Sequence, residues 1–396
     1  MLSPVPKAES NFVADLIDRI SAVTQGTAAL HEPSFGGKER DYLRECIDTG
    51  WVSSGGPFVD RFEALLSERT GSPFATAMIN GTAALHTCLM LAGVGTGDEV
   101  IAPTLTFIAT ANAIAYTGAV PHLADVAPET LAIDPEKLRA HLSETCAMDG
   151  GHCVNRKTGR RIKVLLCVHL LGHPADLDAL AALCAEFGLI LIEDAAEGLG
   201  STYKGRHVGT FGRLAALSFN GNKIITTGGG GAVLTSDAEL AAAARHLTTT
   251  AKRSHAWRYE HDRVGYNYRL PNINAALGCA QLEQLDDHLA EKRALAQRYH
   301  ESFDGLDGAT LFMPPNFANS NHWLNALVLD PSTANARNTI LDETNACGIG
   351  TRPLWAPIHH QTPYISCPSA ELSVADDLYA RVIALPSSPH LGAGLA

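Results

Sequence analysis

The stretch that decides the fold is SFNGNKIITTGGGG, residues 218–231. The apolar run LAALSF at residues 214–219 reads as a short strand, and it delivers a single lysine, Lys223, into a polar loop rich in glycine. A second apolar run, LILIED at residues 189–194, ends in Asp194. The lysine follows this aspartate by about thirty residues, which is the spacing of a strand–helix–strand crossover between parallel strands.

Lys223 and Asp194 form the pair that pyridoxal phosphate chemistry needs. A lysine amine forms a Schiff base with the cofactor aldehyde, and a carboxylate pairs with the protonated pyridine nitrogen. A lone lysine is more often a solvated surface group. Here the preceding strand, the flanking Asn220 and Asn222 and the glycines favour a binding loop with room for a flat ring.

The composition sets outer limits on class and location. The chain has 396 residues, of which 46% are hydrophobic and 18% charged, so we expect a large buried core and two domains. A net charge of −12 argues against a nucleic-acid or anionic-membrane binder. Nine scattered cysteines without a C-x-x-C pair, and no apolar run near ~18 residues, predict a cytoplasmic protein without disulfides, zinc or membrane insertion.

Short apolar strands alternate with helical patterns along most of the chain, which predicts an α/β layered sheet that is mainly parallel. A leading helix is expected at residues 11–24, and a long helix from Pro271 to about Phe303. The polar, basic stretch 146–162 interrupts the rhythm and reads as a surface hairpin, with a phosphate-contacting loop as the alternative. The other elements expected before residue 220 are strands at 74–79, 100–103, 120–124, 164–169, 189–193 and 214–219, and helices at 58–70, 82–92, 107–116, 135–142 and 177–187.

Several further residues are candidates for holding a cofactor. In NGTAAL, residues 80–85, Gly81 and Thr82 join a strand to a helix and form a potential anion site, although a plain helix start would look the same. Ser218 is a second candidate phosphate ligand or an ordinary strand-end hydroxyl. Phe107 is a candidate for stacking on a ring or for core packing. The polar-aromatic loop around Asn267 suits either a neighbouring subunit's site or a structured turn.

Taken together, these segments resemble the DegT/StrS family of sugar aminotransferases, from about His31 to the C-terminus. The segments that carry the resemblance are HEPSFGGKE (31–39), GWVSSGGPFVDRFE (50–63), NGTAAL (80–85), TLTFIATANAI (104–114), HLLGHPADLD (169–178), IEDAAEGLGS (192–201), SFNGNK (218–223) and GYNYRLPNINAALGCAQLEQL (265–285).

The resemblance implies a fold and a division into domains. The expected fold is the α/β aspartate-aminotransferase fold (fold type I), in which a mainly parallel mixed sheet lies between helices and a smaller α/β domain follows. The expected division is a helical extension at residues 1–30, a large cofactor-binding domain at 31–285 and a small domain at 286–396.

The resemblance also implies a role for each candidate residue, with no metal. The catalytic residues are Lys223, which holds pyridoxal 5'-phosphate covalently, and Asp194, which pairs with its ring nitrogen. The other cofactor contacts are Gly81, Thr82 and Ser218 at the phosphate, Phe107 on the ring, Glu197 near the ring hydroxyl, Asn220 beside the lysine, and Asn267, which reaches the cofactor of the other subunit in a homodimer with shared sites.

Within that family, the sequence most resembles the branch that acts on UDP-linked 4-keto-6-deoxy-N-acetylhexosamines. That branch lies on routes to bacillosamine and legionaminic acid in cell-surface polysaccharides. The expected reaction moves an amino group from L-glutamate to the 4-keto carbon of UDP-2-acetamido-2,6-dideoxy-hexos-4-ulose. Alternatives are another keto sugar, aminated at C3 or carried by GDP or TDP, and a non-catalytic sensor of cofactor or sugar nucleotide. Candidate substrate contacts are Lys252, Arg253, Arg258, His322, Arg352, His359 and Tyr364.

Overall fold

The computed structural model describes residues 7–393, in which helices and strands alternate along most of the chain. The helices are α1 (Lys7–Thr24), α2 (Glu39–Thr49), α3 (Pro57–Thr70), α4 (Gly81–Leu91), α5 (Ile108–Tyr116), α6 (Pro135–Thr145), α7 (Leu177–Phe187), α8 (Ala238–Thr248), α9 (Asn272–Leu282), α10 (Leu285–Phe303), α11 (Arg337–Ala346) and α12 (Ser373–Arg381). Within the described range, no helix combines the length and the apolar composition needed to cross a bilayer.

The strands form one large sheet and two smaller ones. They are β1 (Phe74–Met78), β2 (Asp98–Pro103), β3 (Val120–Ala124), β4 (Cys146–Asp149), β5 (His152–Asn155), β6 (Arg161–Val168), β7 (Ile190–Asp194), β8 (Thr202–Tyr203), β9 (Arg206–His207), β10 (Leu214–Ser218), β11 (Gly231–Thr235), β12 (Ala309–Leu311), β13 (Ala318–Asn319), β14 (Asn325–Leu329), β15 (Arg352–Pro353) and β16 (Val382–Leu385).

The large sheet has the order β1-β11-β10-β7-β6-β2-β3, and its strands from β10 to β3 are parallel. Among the seven strands of this order, β11 runs antiparallel to its neighbours β10 and β1. Helices cover both faces, so alternate residues of one strand enter different cores. Leu191 packs with α3, α7 and α9, whereas Ile192 packs with α4, α5 and α8. Burial on both faces explains why these strands are continuous apolar runs. The predicted α/β fold is confirmed.

The second sheet has the order β12-β14-β16-β15 and is antiparallel. One face packs on α1, α10 and α11 around Leu327 and Ile383. The other face packs on α12 and on Trp323, which leads into β14. A small three-stranded sheet, β13-β8-β9, lies beside them. The division of the chain at residues 30 and 285 remains a prediction.

The prediction of one long helix from Pro271 to Phe303 is wrong, because the chain forms two helices, α9 and α10, with a break at residues 283–284. Gln284 leaves the helical conformation, with φ −106° and ψ 4°. Its side-chain amide donates to Glu39 Oε1 at 2.6 Å and to the Ala280 carbonyl at 3.0 Å. A tertiary contact therefore interrupts the helix, and no glycine or proline marks the place in the sequence.

The basic insertion forms the predicted hairpin, β4 and β5, which pairs with the first residues of β6. Glu99, at the start of β2, anchors it by accepting hydrogen bonds from Asn155 at 3.0 Å and Thr158 at 2.6 Å, and it also contacts His122 Nδ1 at 2.8 Å. The hairpin thus lies at the amino ends of the parallel strands. Asp194 and Ser218 lie at the carboxyl ends of the same parallel strands. The alternative prediction, that residues 146–162 contact a phosphate, is therefore wrong for the cavity within this chain.

Candidate active site

A cavity of about 310 Å³ lies at the carboxyl ends of β7 and β10, where the topology of a parallel sheet places binding residues. The structure brings together in it eight of the nine candidate cofactor contacts, and Asn267 is the exception. The cavity is lined by Asn80, Gly81, Thr82, Leu85, Thr106, Phe107, Ala109, Thr110, Val168, Asp194, Ala196, Glu197, Ser218, Asn220, Asn222, Lys223, Trp323 and Trp355.

The lysine loop is held at both of its ends. β10 and β11 pair through Ser218 and Gly231, and the Phe219 N–H donates to the Gly230 carbonyl at 2.8 Å. Inside the loop a tight turn forms, in which the Lys223 N–H donates to the Asn220 carbonyl at 3.0 Å. These bonds fix the backbone from which the Lys223 side chain projects into the cavity.

The Lys223 amine lies between a carboxylate and an aromatic ring. Its Nζ is 3.1 Å from Glu197 Oε1 and 3.8 Å from the centroid of the Trp323 ring. The lysine side chain is 13% exposed, so the amine is shielded yet reachable from the cavity. A shielded amine that faces a cavity is the arrangement expected of a lysine that bonds to a cofactor.

Asp194 ends β7 and is buried beside the first turn of α5. Its Oδ2 accepts a hydrogen bond from Thr110 Oγ1 at 2.9 Å, and its Oδ1 accepts one from the Ala196 N–H at 3.2 Å. Burial raises the pKa of the Asp194 carboxyl, and the two hydrogen bonds and the charge of Lys223 only partly counteract that effect. A cationic ring nitrogen would supply the missing compensation, since opposite charges favour each other's ionised form.

Glu197 is buried in the wall next to the lysine. Its Oε2 accepts from the Leu171 N–H at 2.7 Å, while Oε1 faces the lysine amine. Burial raises the pKa of the Glu197 carboxyl, and the nearby charge of Lys223 acts against that shift. Leu171 has φ 56° and ψ 14°, a left-handed conformation uncommon for leucine, and in this conformation its N–H donates to the carboxylate.

The start of α4 provides a cradle for an anion. Asn80 caps the helix by accepting from the Ala83 N–H at 2.7 Å. The N–H groups of Gly81 and Thr82 begin the first turn, have no intrahelical acceptor, and face the same cavity as Ser218. A Cβ on Gly81 would lie 2.8 Å from Ser218 Cβ, so only glycine allows this close approach of α4 and β10.

A buried histidine–glutamate pair supports the end of β7 from the opposite face. His169 Nδ1 accepts from the Ala175 N–H at 3.2 Å, so its Nε2 carries the hydrogen and donates to Glu193 Oε2 at 3.0 Å. The His169 N–H donates to the Asp194 carbonyl at 3.1 Å. Glu193 also accepts three backbone N–H bonds, from residues 209, 211 and 212. This network positions the backbone that carries Asp194.

Three aromatic side chains form the wall opposite the sheet. Trp323 and Trp355 stack with ring centroids 6.1 Å apart and planes 6° apart, and Phe107 meets Trp355 edge to face at 6.0 Å. Phe107 is 49% exposed and lines the cavity, so the alternative of core packing is wrong for it. The wall can contact a flat ring or the apolar face of a sugar.

Asn267 lies outside the cavity on an exposed segment. It forms an isolated antiparallel bridge with Thr249. The next residue, Tyr268, lines a shallower cavity together with Asn80 and Thr82, on the outer side of the anion cradle. Asn267 itself does not line the cavity of its own chain.

None of the seven candidate substrate residues lines the main cavity of this chain. Lys252, Arg253 and Arg258 belong to an exposed segment and contact Tyr259, Asp262 and Glu260, respectively. The other four have protein partners elsewhere: His322 packs on His173, Arg352 donates to Asn345, His359 contacts Thr104, and the Tyr364 hydroxyl donates to Asn112.

Sequence reasoning missed three residues that the structure places at the site. Thr110 lies inside the segment TLTFIATANAI, where its spacing from Asp194 gives no signal. Trp323 and Trp355 come from the second sheet and its connections, a hundred residues or more after Lys223. A tryptophan is usually explained by core packing, so only the tertiary structure shows that these two reach the cavity.

The chain's groups fit pyridoxal 5'-phosphate in type and in number. There is an amine for the aldehyde, an anion cradle for the phosphate, an aromatic platform for the ring, and a buried carboxylate that lacks a full cationic partner. These four features occur in one cavity of suitable size, which a general anion site would not require.

Comparisons with known proteins agree with this fit. The profile of the DegT/DnrJ/EryC1/StrS aminotransferase family matches residues 33–394. GDP-perosamine synthase from Escherichia coli O157:H7 is 39% identical over 362 residues, which cover 91% of this chain and 93% of that protein. GDP-perosamine synthase from Caulobacter vibrioides is 38% identical over 362 residues, covering 91% and 92%. The crystal structure of a DegT DnrJ EryC1 StrS aminotransferase from Brucella abortus superposes with a TM-score of 0.80 at 30% identity, covering 89% and 91%.

Proposed function

This chain belongs to the DegT/DnrJ/EryC1/StrS aminotransferase family, and from that premise we propose that it transfers an amino group from L-glutamate to the 4-keto carbon of UDP-2-acetamido-2,6-dideoxy-hexos-4-ulose. It is a pyridoxal phosphate-dependent sugar aminotransferase that acts on a nucleotide sugar. The carrier, the acceptor carbon, the donor and the roles of individual residues are the parts that we propose.

One observation carries the proposal. The Lys223 amine, the Asp194 carboxylate and the first turn of α4 face a single cavity, with the amine held close to Glu197. A non-catalytic sensor would need a binding site but not a shielded amine placed to move a proton. The intact lysine–aspartate pair therefore favours transamination over sensing.

Each residue has a chemical task in this proposal. Pyridoxal phosphate, when bound, supplies an electron sink for the carbanion that forms at the reacting carbon. Lys223 holds the cofactor at rest, and its freed Nζ takes up a proton and later returns it as general base and acid. Asp194 keeps the ring nitrogen protonated, and the N–H groups of Gly81 and Thr82 with Ser218 bind the phosphate.

The resemblance of the segments that surround the lysine and the N-terminal region supports UDP and an N-acetylated sugar. A second candidate carrier is GDP, which is favoured by the relatives named GDP-perosamine synthase. The two candidates differ in the nucleotide that carries the sugar.

We also propose a homodimer in the cytoplasm. Asn267 is exposed and lies outside the cavity, and it precedes Tyr268 on the outer side of the anion cradle, which supports its reaching the cofactor of the neighbouring subunit. All nine cysteines are free thiols, and seven are buried, which supports a reducing compartment.

The experiment incubates the purified chain with pyridoxal phosphate, L-glutamate and a panel of UDP-, GDP- and TDP-linked 4-keto-6-deoxy sugars. Mass spectrometry and NMR identify the amino sugars, and the matched control is Lys223→Ala, which should lose both the absorbance band of the lysine-bound cofactor and turnover. We expect the highest kcat/KM with the UDP-linked N-acetyl sugar. A higher value with a GDP-linked sugar would establish the second candidate.

Glutamate alone gives a second readout. It should convert the bound cofactor to its amino form and release 2-oxoglutarate. A chain that binds the cofactor but shows no such conversion, and no product with any sugar in the panel, would be a sensor and not an enzyme.

A further inference from the structure

Two residues remain without a task in the mechanism above: Trp323, whose ring lines the cavity, and Lys292, a buried lysine that donates to the Trp323 carbonyl. The Lys223 Nζ lies 3.8 Å from the Trp323 ring centroid and 3.1 Å from Glu197 Oε1. We propose that Trp323 and Glu197 form a holding site for the Lys223 amine in the intervals when that amine is not bonded to the cofactor and carries a proton. This inference rests on the proposed function and concerns the intervals in which the amine is free.

Trp323 is fixed from four directions. Its indole N–H donates to the Asn222 carbonyl at 2.6 Å, next to the lysine itself, and its backbone N–H donates to Asn321 Oδ1 at 2.8 Å. Its carbonyl accepts from Lys292 Nζ at 2.9 Å, and its ring stacks on Trp355. A ring held in this way presents its face to the amine without having to be ordered during the reaction.

The Trp323 ring and the Glu197 carboxylate both attract a positively charged ammonium group. The face of an indole ring attracts a cation, an effect of about two- to thirtyfold in an equilibrium. The Glu197 carboxylate adds an opposite charge from the other side, and its own position is fixed by the Leu171 N–H. A free lysine side chain otherwise samples many rotamers, so a holding site keeps Nζ near the atom to which it must return its proton.

Lys292 is the positioning residue for this site. Its amine is fully buried on α10 and donates to the carbonyls of Trp323 and Ser387. Burial lowers the pKa of Lys292 well below its usual value. Lys292 thus joins α10 to the segment before β14 and to the segment after β16. These contacts fix the position of the Trp323 backbone relative to the lysine loop.

The first test labels the full-length protein without cofactor, using fluorodinitrobenzene at pH 8 and peptide mass spectrometry to quantify Lys223. Trp323→Leu removes the ring face and should speed labelling of Lys223 about five- to tenfold. Trp323→Phe keeps a weaker face and should give a smaller increase. The matched control is Trp355→Leu, which removes an indole from the same wall but not from the amine, and labelling of Lys137 serves as the internal reference.

The outcomes of the labelling test are distinct. If Trp323→Leu labels Lys223 no faster than the unchanged protein, or if Trp355→Leu accelerates labelling equally, the holding site does not exist. If Lys137 also labels faster in Trp323→Leu, that variant is unfolded. Trp323→Phe is then compared with Trp355→Leu instead. For the proposal to stand, Lys223 must label faster in Trp323→Phe than in Trp355→Leu.

The second test measures the glutamate half-reaction of the enzyme loaded with cofactor. The rate is compared between ordinary glutamate and glutamate that carries deuterium at the α-carbon. Trp323→Leu should slow the half-reaction about tenfold and raise its deuterium isotope effect, because return of the proton becomes less well organised. Lys292→Met should change both quantities in the same direction but less. Trp355→Leu removes only a stacking neighbour of Trp323, so it should change both quantities less than Trp323→Leu does.

This design separates two failures. If the unchanged protein shows no glutamate half-reaction, the proposed function fails. If it shows one, and the isotope effect in Trp323→Leu equals that of the unchanged protein, the function stands and the holding site is overturned.

Discussion

Thr110 donates a hydrogen bond from its hydroxyl to Asp194 Oδ2 at 2.9 Å, and so joins the first turn of α5 to the end of β7. The same hydroxyl lies 3.0 Å from that of Thr106, in the loop before the helix. Asp194 is therefore oriented by residues more than eighty positions earlier in the chain. Both of its oxygens accept hydrogen bonds from the protein, and the group as a whole still lacks a full cationic partner.

Asp194→Asn keeps the size of the side chain and removes its charge. The ring nitrogen would lose the partner that keeps it protonated, so kcat should fall by on the order of a hundredfold or more, as expected for loss of an essential acid–base partner. Steady-state kinetics and cofactor titration measure the effect. Thr110→Val is the comparison: it removes only the orienting hydrogen bond and should cost about tenfold or less. Near-normal turnover of Asp194→Asn would contradict the assigned role.

Gly81→Ala tests the anion cradle. The new Cβ would lie 2.8 Å from Ser218 Cβ, so α4 and β10 must move apart and the phosphate donors must shift. The Kd for pyridoxal phosphate should rise about tenfold, which corresponds to ~1.4 kcal/mol. A fluorescence titration of the protein with the cofactor measures it. Gly95→Ala is the matched control, because a Cβ at residue 95 meets nothing within 4 Å. The Kd of this variant for pyridoxal phosphate should be unchanged.

We expect the substitution Glu99→Gln to destabilise the fold by an amount that depends on pH. Burial alone would raise the pKa of the Glu99 carboxyl, but hydrogen bonds from His122, Thr158 and Asn155 outweigh it, and the pKa is lowered. A lowered pKa in the folded state stabilises the fold above the unfolded value, near ~4.3 for glutamate, and this stabilisation is lost as the pH falls through the folded value.

At pH 7 the free energy of unfolding of Glu99→Gln should therefore be lower by about 1–3 kcal/mol, as expected when a charged hydrogen-bond acceptor is lost. The difference from the unchanged protein should shrink below about pH 4. Urea unfolding at several pH values measures both. Glu129→Gln, an exposed residue, is the control and should show no difference at any pH. A constant deficit across the pH range would show that the charge of Glu99 is not the cause.

Asn267→Ala tests whether the sites are shared between subunits. When Asn267→Ala and Lys223→Ala proteins are mixed and allowed to exchange subunits, each mixed dimer has one site with both residues intact. Activity should recover to about a quarter of the normal value for random exchange of a two-fold dimer. A mixture of Lys223→Ala with Asp194→Asn is the control, since neither site is then complete. Absence of recovery in the first mixture would refute the shared site.

The sequence predicted most of the large sheet well because its strands are buried on both faces and follow one another in a regular crossover pattern. The run at residues 189–194 was expected as a strand that ends in Asp194, and β7 occupies Ile190–Asp194. The association of Asp194 with Lys223 followed from the rule that the ends of parallel strands meet at one edge.

The remaining parts of the site depend on contacts that local patterns do not encode. Trp323 enters the cavity because β14 pairs with β16 and because Lys292 holds its carbonyl. Gln284 ends a helix because Glu39 accepts its amide. The seven basic, histidine and tyrosine candidates share suitable chemistry for a sugar nucleotide, yet their position relative to the cavity depends on loops.

The position of β11 between β1 and β10 has a consequence for the order in which the chain folds. Within the described residues, β1 pairs with β11, and β11 in turn pairs with β10. The two halves of the phosphate cradle, one after β1 and the other after β10, therefore remain separate until residues 231–235 have been synthesised. Most strands of the large sheet must therefore be synthesised before the cradle can close. A cofactor that binds only the closed cradle stabilises the native chain by mass action, so we expect the folded fraction of newly made chains to rise with the concentration of pyridoxal phosphate.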